Sequence, residues 1–72
     1  MRRTWMTQLR KARGLSQAEV ADRLGVTHQA VSGWEAGTSS PSRSNALGLA
    51  EMLGRDVFTH LLAEERVAEG AA

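Results

Sequence analysis

The stretch THQAVSGWE, residues 27–35, contains the side chains of this chain best suited to directed contacts. At helical spacing Ala30, Val31 and Trp34 share one face, which sends His28, Gln29, Ser32 and Gly33 to the other. That outer face is polar yet has no lysine, arginine, aspartate or glutamate, although a face that only meets water is usually rich in them. Histidine, glutamine and serine both donate and accept hydrogen bonds. Glutamine in particular pairs bidentately with adenine N6 and N7 in the major groove. The start of such a helix also offers unpaired backbone N–H groups and a positive dipole end to a phosphate. The bland alternative is a solvated glutamine, a lone exposed histidine and a serine bonded back to its own helix.

Other chemistries find little support. The chain has no cysteine, which excludes disulfides and thiolate zinc sites. Neither histidine has an evident catalytic partner, and His60 stands alone without the neighbours a metal site needs. The glycines are spread among helix ends and interiors rather than gathered into a phosphate-cradling loop. No enzyme activity, metal or cofactor is therefore expected. No apolar run approaches the roughly 20 residues of a membrane span, and the basic start MRRTW lacks the apolar core of a signal peptide. A cytoplasmic protein with no membrane partner is the expectation.

The net charge of +1 hides an asymmetry. Residues 1–43 have seven basic against three acidic residues, net +4, and residues 44–72 have two against five, net −3. A basic front and an acidic back suit a protein that turns one face to a polyanion, though ordinary scatter of surface charge gives the same split.

Helix signals recur and strand signals are weak, so the elements that position the polar face are helices. Trp5, Met6, Leu9 and Ala12 form one face of a first helix over about residues 4–13, stopped at Gly14. The run SQAE, residues 16–19, fits a capping box and opens a second helix to Leu24, with Val20, Ala21 and Leu24 inward. Gly25 ends it, and Thr27 caps a third helix that closes at Gly37. A glycine-containing turn this short bends two helices steeply, the helix-turn-helix arrangement. Ala21 is small where the helices cross, Val26 fills the space under the turn, and Val31 and Trp34 pin the third helix to the core. Ser42 caps a fourth helix ending at Gly54, and Asp56 begins a fifth with Val57, Phe58, Leu61 and Leu62 apolar. Residues 1–3 read as a basic arm, 4–65 as the folded domain and 66–72 as a flexible tail. A core this small contributes only a few kcal/mol of net stability, so a partner subunit or very compact packing is expected.

These residues together resemble the phage-repressor and Cro-type, or Xre-type, helix-turn-helix family. The matching positions are Leu9 and Arg10, the run GLSQ at 14–17, Glu19, Ala21, LGVT at 24–27, Val31 and Ser32, Trp34 and Glu35, Gly37, Pro41, Leu53 and Gly54, and Leu61 and Leu62. The likeness covers about residues 5–63. It implies an all-α, compact five-helix, lambda-repressor-like domain that binds double-stranded operator DNA, usually as a homodimer on a pseudo-palindrome. By position, Gln17 and Thr27 would contact phosphates, and His28, Gln29 and Ser32 would read bases or flanking phosphate. Arg10 and Glu35 match a pair that commonly ties the first helix to the third.

Two positions depart from the family pattern. Gly33 stands where many relatives carry a long polar side chain, and as a base-reading position it allows close backbone approach instead. Arg43 stands where an apolar residue is frequent, and can reach a phosphate or a narrow minor groove. Arg2 and Arg3 are either a disordered arm on phosphate or simply solvated. Phe58, Leu61 and Leu62 exceed what one small core needs and are expected at a dimer contact. Trp34 is expected in the core, and Trp5 in the core or at that contact. Gly48, inside the fourth helix, has no functional account. The function expected is a transcription regulator that represses by occluding an operator. The alternatives are an antitoxin whose acidic C-terminal third binds a toxin, and a protein-docking module with little DNA binding.

Overall fold

The computed structural model describes residues 1–71, with side chains through Arg66. Five helices follow in order: α1 (Thr4–Ala12), α2 (Gln17–Leu24), α3 (His28–Ala36), α4 (Arg43–Leu53) and α5 (Asp56–Ala71). No strand occurs among the described residues.

Local chemistry sets the helix starts. Ser16 Oγ accepts from the Glu19 N–H at 3.0 Å, while Glu19 Oε1 accepts from the Ser16 N–H at 3.0 Å. This reciprocal box satisfies two donors that α2 would otherwise leave unpaired. Thr27 caps α3 by accepting from the Ala30 N–H, and Ser42 caps α4 by accepting from the Asn45 N–H, each at 3.1 Å. Between α2 and α3 the chain turns through Gly25 at φ 72°, a left-handed conformation that costs a residue with a Cβ. The Val26 N–H then reaches back to the Ala21 carbonyl at 3.0 Å, which fixes the angle at which α3 departs.

Met6, Val20, Ala21, Val31, Trp34, Leu49, Leu53 and Val57 form the buried core, so every helix contributes. Val31 and Trp34 seat α3 on it, while Val26 packs against it from the turn. Gly48 finds its reason here. A Cβ at Gly48 would overlap the Leu24 side chain, so glycine lets the end of α2 lie directly on the backbone of α4. On α1 the buried positions are Met6 and Arg10, whereas Ala12, expected inward, is exposed. Arg10 takes the inward place because Glu35 supplies its charge partner there.

Two boundary expectations are corrected. Residues 1–3 are not a free arm. Arg3 is buried, 6% exposed, and precedes α1 as its N-cap. Its backbone N–H donates to the Glu35 carbonyl at 2.8 Å. Its guanidinium donates to the carbonyls of Trp34 (2.7 Å) and Ser39 (2.8 Å), to Ser40 Oγ (2.8 Å) and to Glu64 Oε1 (3.0 Å). A planar fork of donors meets the open carbonyl end of α3 and a carboxylate, so Arg3 staples α1, α3, the α3–α4 loop and α5 together. The helix α5 also runs through Ala71, into the segment expected as a tail over 66–72. Residue 72 lies outside the described residues.

Candidate nucleic-acid interface

On α3 the side chains of His28, Gln29 and Ser32 are exposed, opposite the buried Val31, Trp34 and Glu35. The polar face therefore stands free along the first half of the helix. Gly33 differs from the expectation. It is half-buried, and a Cβ there would lie 2.8 Å from Ser39 Oγ and 3.3 Å from Thr38 Oγ1. Its carbonyl accepts from the N–H groups of Gly37 (2.9 Å) and Thr38 (3.0 Å). Glycine at this place lets the α3–α4 loop fold against the helix, so the direction of a side chain at residue 33 is towards that loop and not into open space.

Beneath the exposed face lies a polar network. Arg10 Nε donates to Glu35 Oε2 at 2.7 Å, and Arg10 Nη2 donates to Glu35 Oε1 at 3.1 Å. Thr7 Oγ1 donates to the same Oε1 at 2.7 Å, and Gln17 Nε2 does so at 3.1 Å. Glu35 is 3% exposed. Burial pushes its carboxyl up, but the hydrogen bonds from Arg10, Thr7 and Gln17, with the Arg10 charge, outweigh burial and hold it below the usual glutamate range. The network reaches the surface at Gln17 Oε1, which lies 3.0 Å from His28 Nε2. Thus the first residue of α2 and the first residue of α3 touch each other above a buried ion pair that ties α1 to α3.

The remaining positions are dispersed around this patch. Thr27 uses an oxygen lone pair as the α3 cap and keeps its hydroxyl hydrogen for another acceptor. Arg43 is exposed at the first turn of α4, and Arg2 is exposed at the chain start. The structure withdraws Arg3 from the phosphate-contact set, since all its nitrogens are committed within the fold. Phe58 and Leu62 are exposed on α5 at 37% and 53%, and Leu61 is half-buried against the core. With Pro41, Ala46 and Leu47 they line a groove of about 600 Å³ between α4 and α5.

Some of the positioning residues were out of reach of sequence reasoning. Trp5 stacks on His60, ring centroids 4.7 Å apart and planes 7° from parallel, and its Nε1–H donates to Glu64 Oε2 at 3.0 Å. Arg3 and Glu64 are 61 residues apart, and no local pattern announces their contact. Thr7 had a weak signal, a hydroxyl one turn before Arg10.

Two short helices joined through a left-handed glycine, the second with its polar face outward, define a helix-turn-helix domain. The sequence pattern of the Helix-turn-helix family, Xre type, matches residues 6–58, and the chain belongs to that family. It is similar to an uncharacterized HTH-type transcriptional regulator of Methanothermobacter thermautotrophicus, 44% identical over 54 residues that span 75% of this chain and 78% of that protein. No solved structure matches the chain. Among the described residues no helix is long and apolar enough to cross a membrane.

Proposed function

We propose that the chain is a sequence-specific, double-stranded-DNA-binding transcription regulator that represses in the cytoplasm by occluding an operator. The observation behind this reading is the exposed, uncharged hydrogen-bonding face of α3, seated on the core by Val31 and Trp34. In the complex α3 enters the major groove, with His28, Gln29 and Ser32 against base edges. Gln17, Thr27, Arg43 and Arg2 meet phosphates and fix the register. Gln17 remains suited to this because its amide nitrogen has a second hydrogen beyond the one given to Glu35. A second copy docks through Phe58, Leu61 and Leu62, giving a two-fold dimer for a pseudo-palindromic site.

Enrichment of bound duplexes from a randomised pool tests this reading and reports half-site spacing. The expected outcome is one enriched sequence whose affinity falls steeply with salt, as released counterions require. A protein that retains no duplex in dilute buffer overturns it. Phe58→Asp with Leu62→Asp should shift sedimentation towards monomer and weaken operator binding; a wild-type chain monomeric with and without DNA removes the dimer.

A further inference from the structure

The contact between Gln17 and His28 has a definite polarity. An ionised carboxylate only accepts hydrogen bonds, so the end of the Gln17 amide that faces Glu35 Oε1 must be its NH2. The other end, Oε1, is then the atom facing His28 Nε2 at 3.0 Å, and a carbonyl oxygen also only accepts. The hydrogen in this contact must therefore sit on His28 Nε2. A neutral imidazole has one N–H, so Nδ1 is left as a bare acceptor. Nδ1 has no hydrogen-bond partner among the described residues, and His28 is exposed at the start of α3. In the major groove adenine N6 and cytosine N4 are donors, whereas guanine O6 and N7 and thymine O4 are acceptors.

We propose that Gln17, itself oriented by the Arg10–Glu35 pair, holds His28 as its Nε2–H tautomer, so that Nδ1 selects a base bearing a major-groove amino group. On the strand that His28 faces, adenine or cytosine is accepted and guanine or thymine is rejected, since the latter two would set acceptor against acceptor. The inference rests on the base-reading role given to α3 above and specifies what one position of that face reads. Gln17 is the positioning residue and His28 the specificity-determining one.

Two measurements test it. The first is a long-range proton–nitrogen NMR spectrum of the free protein in alkaline buffer, where the ring is neutral, with His28 assigned by the signals that His28→Ala removes. The proton is expected on Nε2; a proton on Nδ1, or an even mixture, overturns the proposal. Gln17→Leu should then release the ring into a mixture of tautomers. The second is selection from a randomised duplex pool with wild type and His28→Ala. The base pair whose preference His28→Ala abolishes should present adenine or cytosine on one strand. Removing that amino group, with purine for adenine or 2-pyrimidinone for cytosine, should weaken binding roughly 3- to 10-fold, the worth of one hydrogen bond. Guanine or thymine at that place, an affinity unchanged by removing the amino group, or a preference unchanged by His28→Ala overturns it. A wild-type selection that enriches no sequence overturns the base-reading function instead, and the NMR result then stands as evidence on the tautomer alone.

Discussion

Removing the cation of the buried pair, by Arg10→Met, leaves the Glu35 carboxylate buried with only Thr7 and Gln17 as donors. Uncompensated buried charges of this kind cost about 3–5 kcal/mol. A domain of 72 residues has roughly 4–11 kcal/mol of total stability, so the variant should be close to unfolding. Each kcal/mol moves the midpoint of so small a domain by about 4–8 °C, which places the Arg10→Met midpoint at least ~12 °C below wild type. Combining Arg10→Met with Glu35→Leu removes both charges and should recover most of the loss, because an apolar pair of similar volume has no ions to desolvate. The assay is urea and thermal unfolding of wild type, Arg10→Met, Glu35→Leu and the double variant at pH 7, followed by helical circular dichroism. Glu35 also sets a pH signature. Its folded carboxyl titrates below the ordinary value of 4.5, so its contribution is full above that value and is lost as pH falls through the lower folded one. Wild type should therefore weaken below pH 4.5, and the double variant should weaken less, with Glu19, shifted the same way, supplying part of what remains. Single variants that lose under about 1 kcal/mol, or a double variant as weak as the sum of the singles, would refute the claim that this pair is coupled and shielded from water.

Other perturbations follow from the packing. Gly48→Ala should push the end of the Leu24 side chain aside, an adjustment that offsets the ~1 kcal/mol alanine gains in a helix interior. Its stability, read by the unfolding midpoint, should stay within about 1 kcal/mol of wild type, and adding Leu24→Ala should remove the overlap but leave a cavity. Arg3→Ala should cost roughly 2–4 kcal/mol of stability yet leave the salt slope of DNA binding unchanged, whereas Arg2→Ala should lower that slope by about one and leave stability alone. A lowered slope for Arg3→Ala would return that residue to the phosphate contacts. Ser16→Ala should lower stability by about 1 kcal/mol through loss of the α2 cap, measured by urea unfolding.

The legible parts of the molecule are those whose signal is local. Ser16 with Glu19, Thr27 before α3 and the glycines at 25 and 37 mark helix ends within four or five residues of chain, and the helices begin and end where those residues stand. The periodicity of Ala30, Val31 and Trp34 assigned the polar face of α3 because a helix converts spacing into direction. Arg10 and Glu35 were legible through resemblance, not through spacing. What escaped was tertiary. Arg3 read as an arm on phosphate or a solvated cation because its partners are carbonyls at the end of α3 and a carboxylate on α5, none adjacent in sequence. Gly48 had no local meaning until Leu24 lay across it. Gly33 reads in the sequence as a base-reading position without a side chain, and only the path of residues 38 and 39 shows the loop occupying that direction. Residues 66–71 read as a tail because they lack the periodic apolar positions that mark a packed face, and α5 nonetheless runs through Ala71.

The parallel indole and imidazole at the seam of α1 and α5 equip this protein with an optical gauge. The His60 ring covers one face of Trp5, a surrounding that separation of α5 from α1 would remove, while the second indole, Trp34, sits in the core behind α3. Emission in a Trp34→Phe background would thus register α5 lifting from α1, and emission in a Trp5→Phe background would register loss of the interior. Comparing the two traces during denaturation tells whether the terminal helix peels away first or whether the whole chain lets go at once.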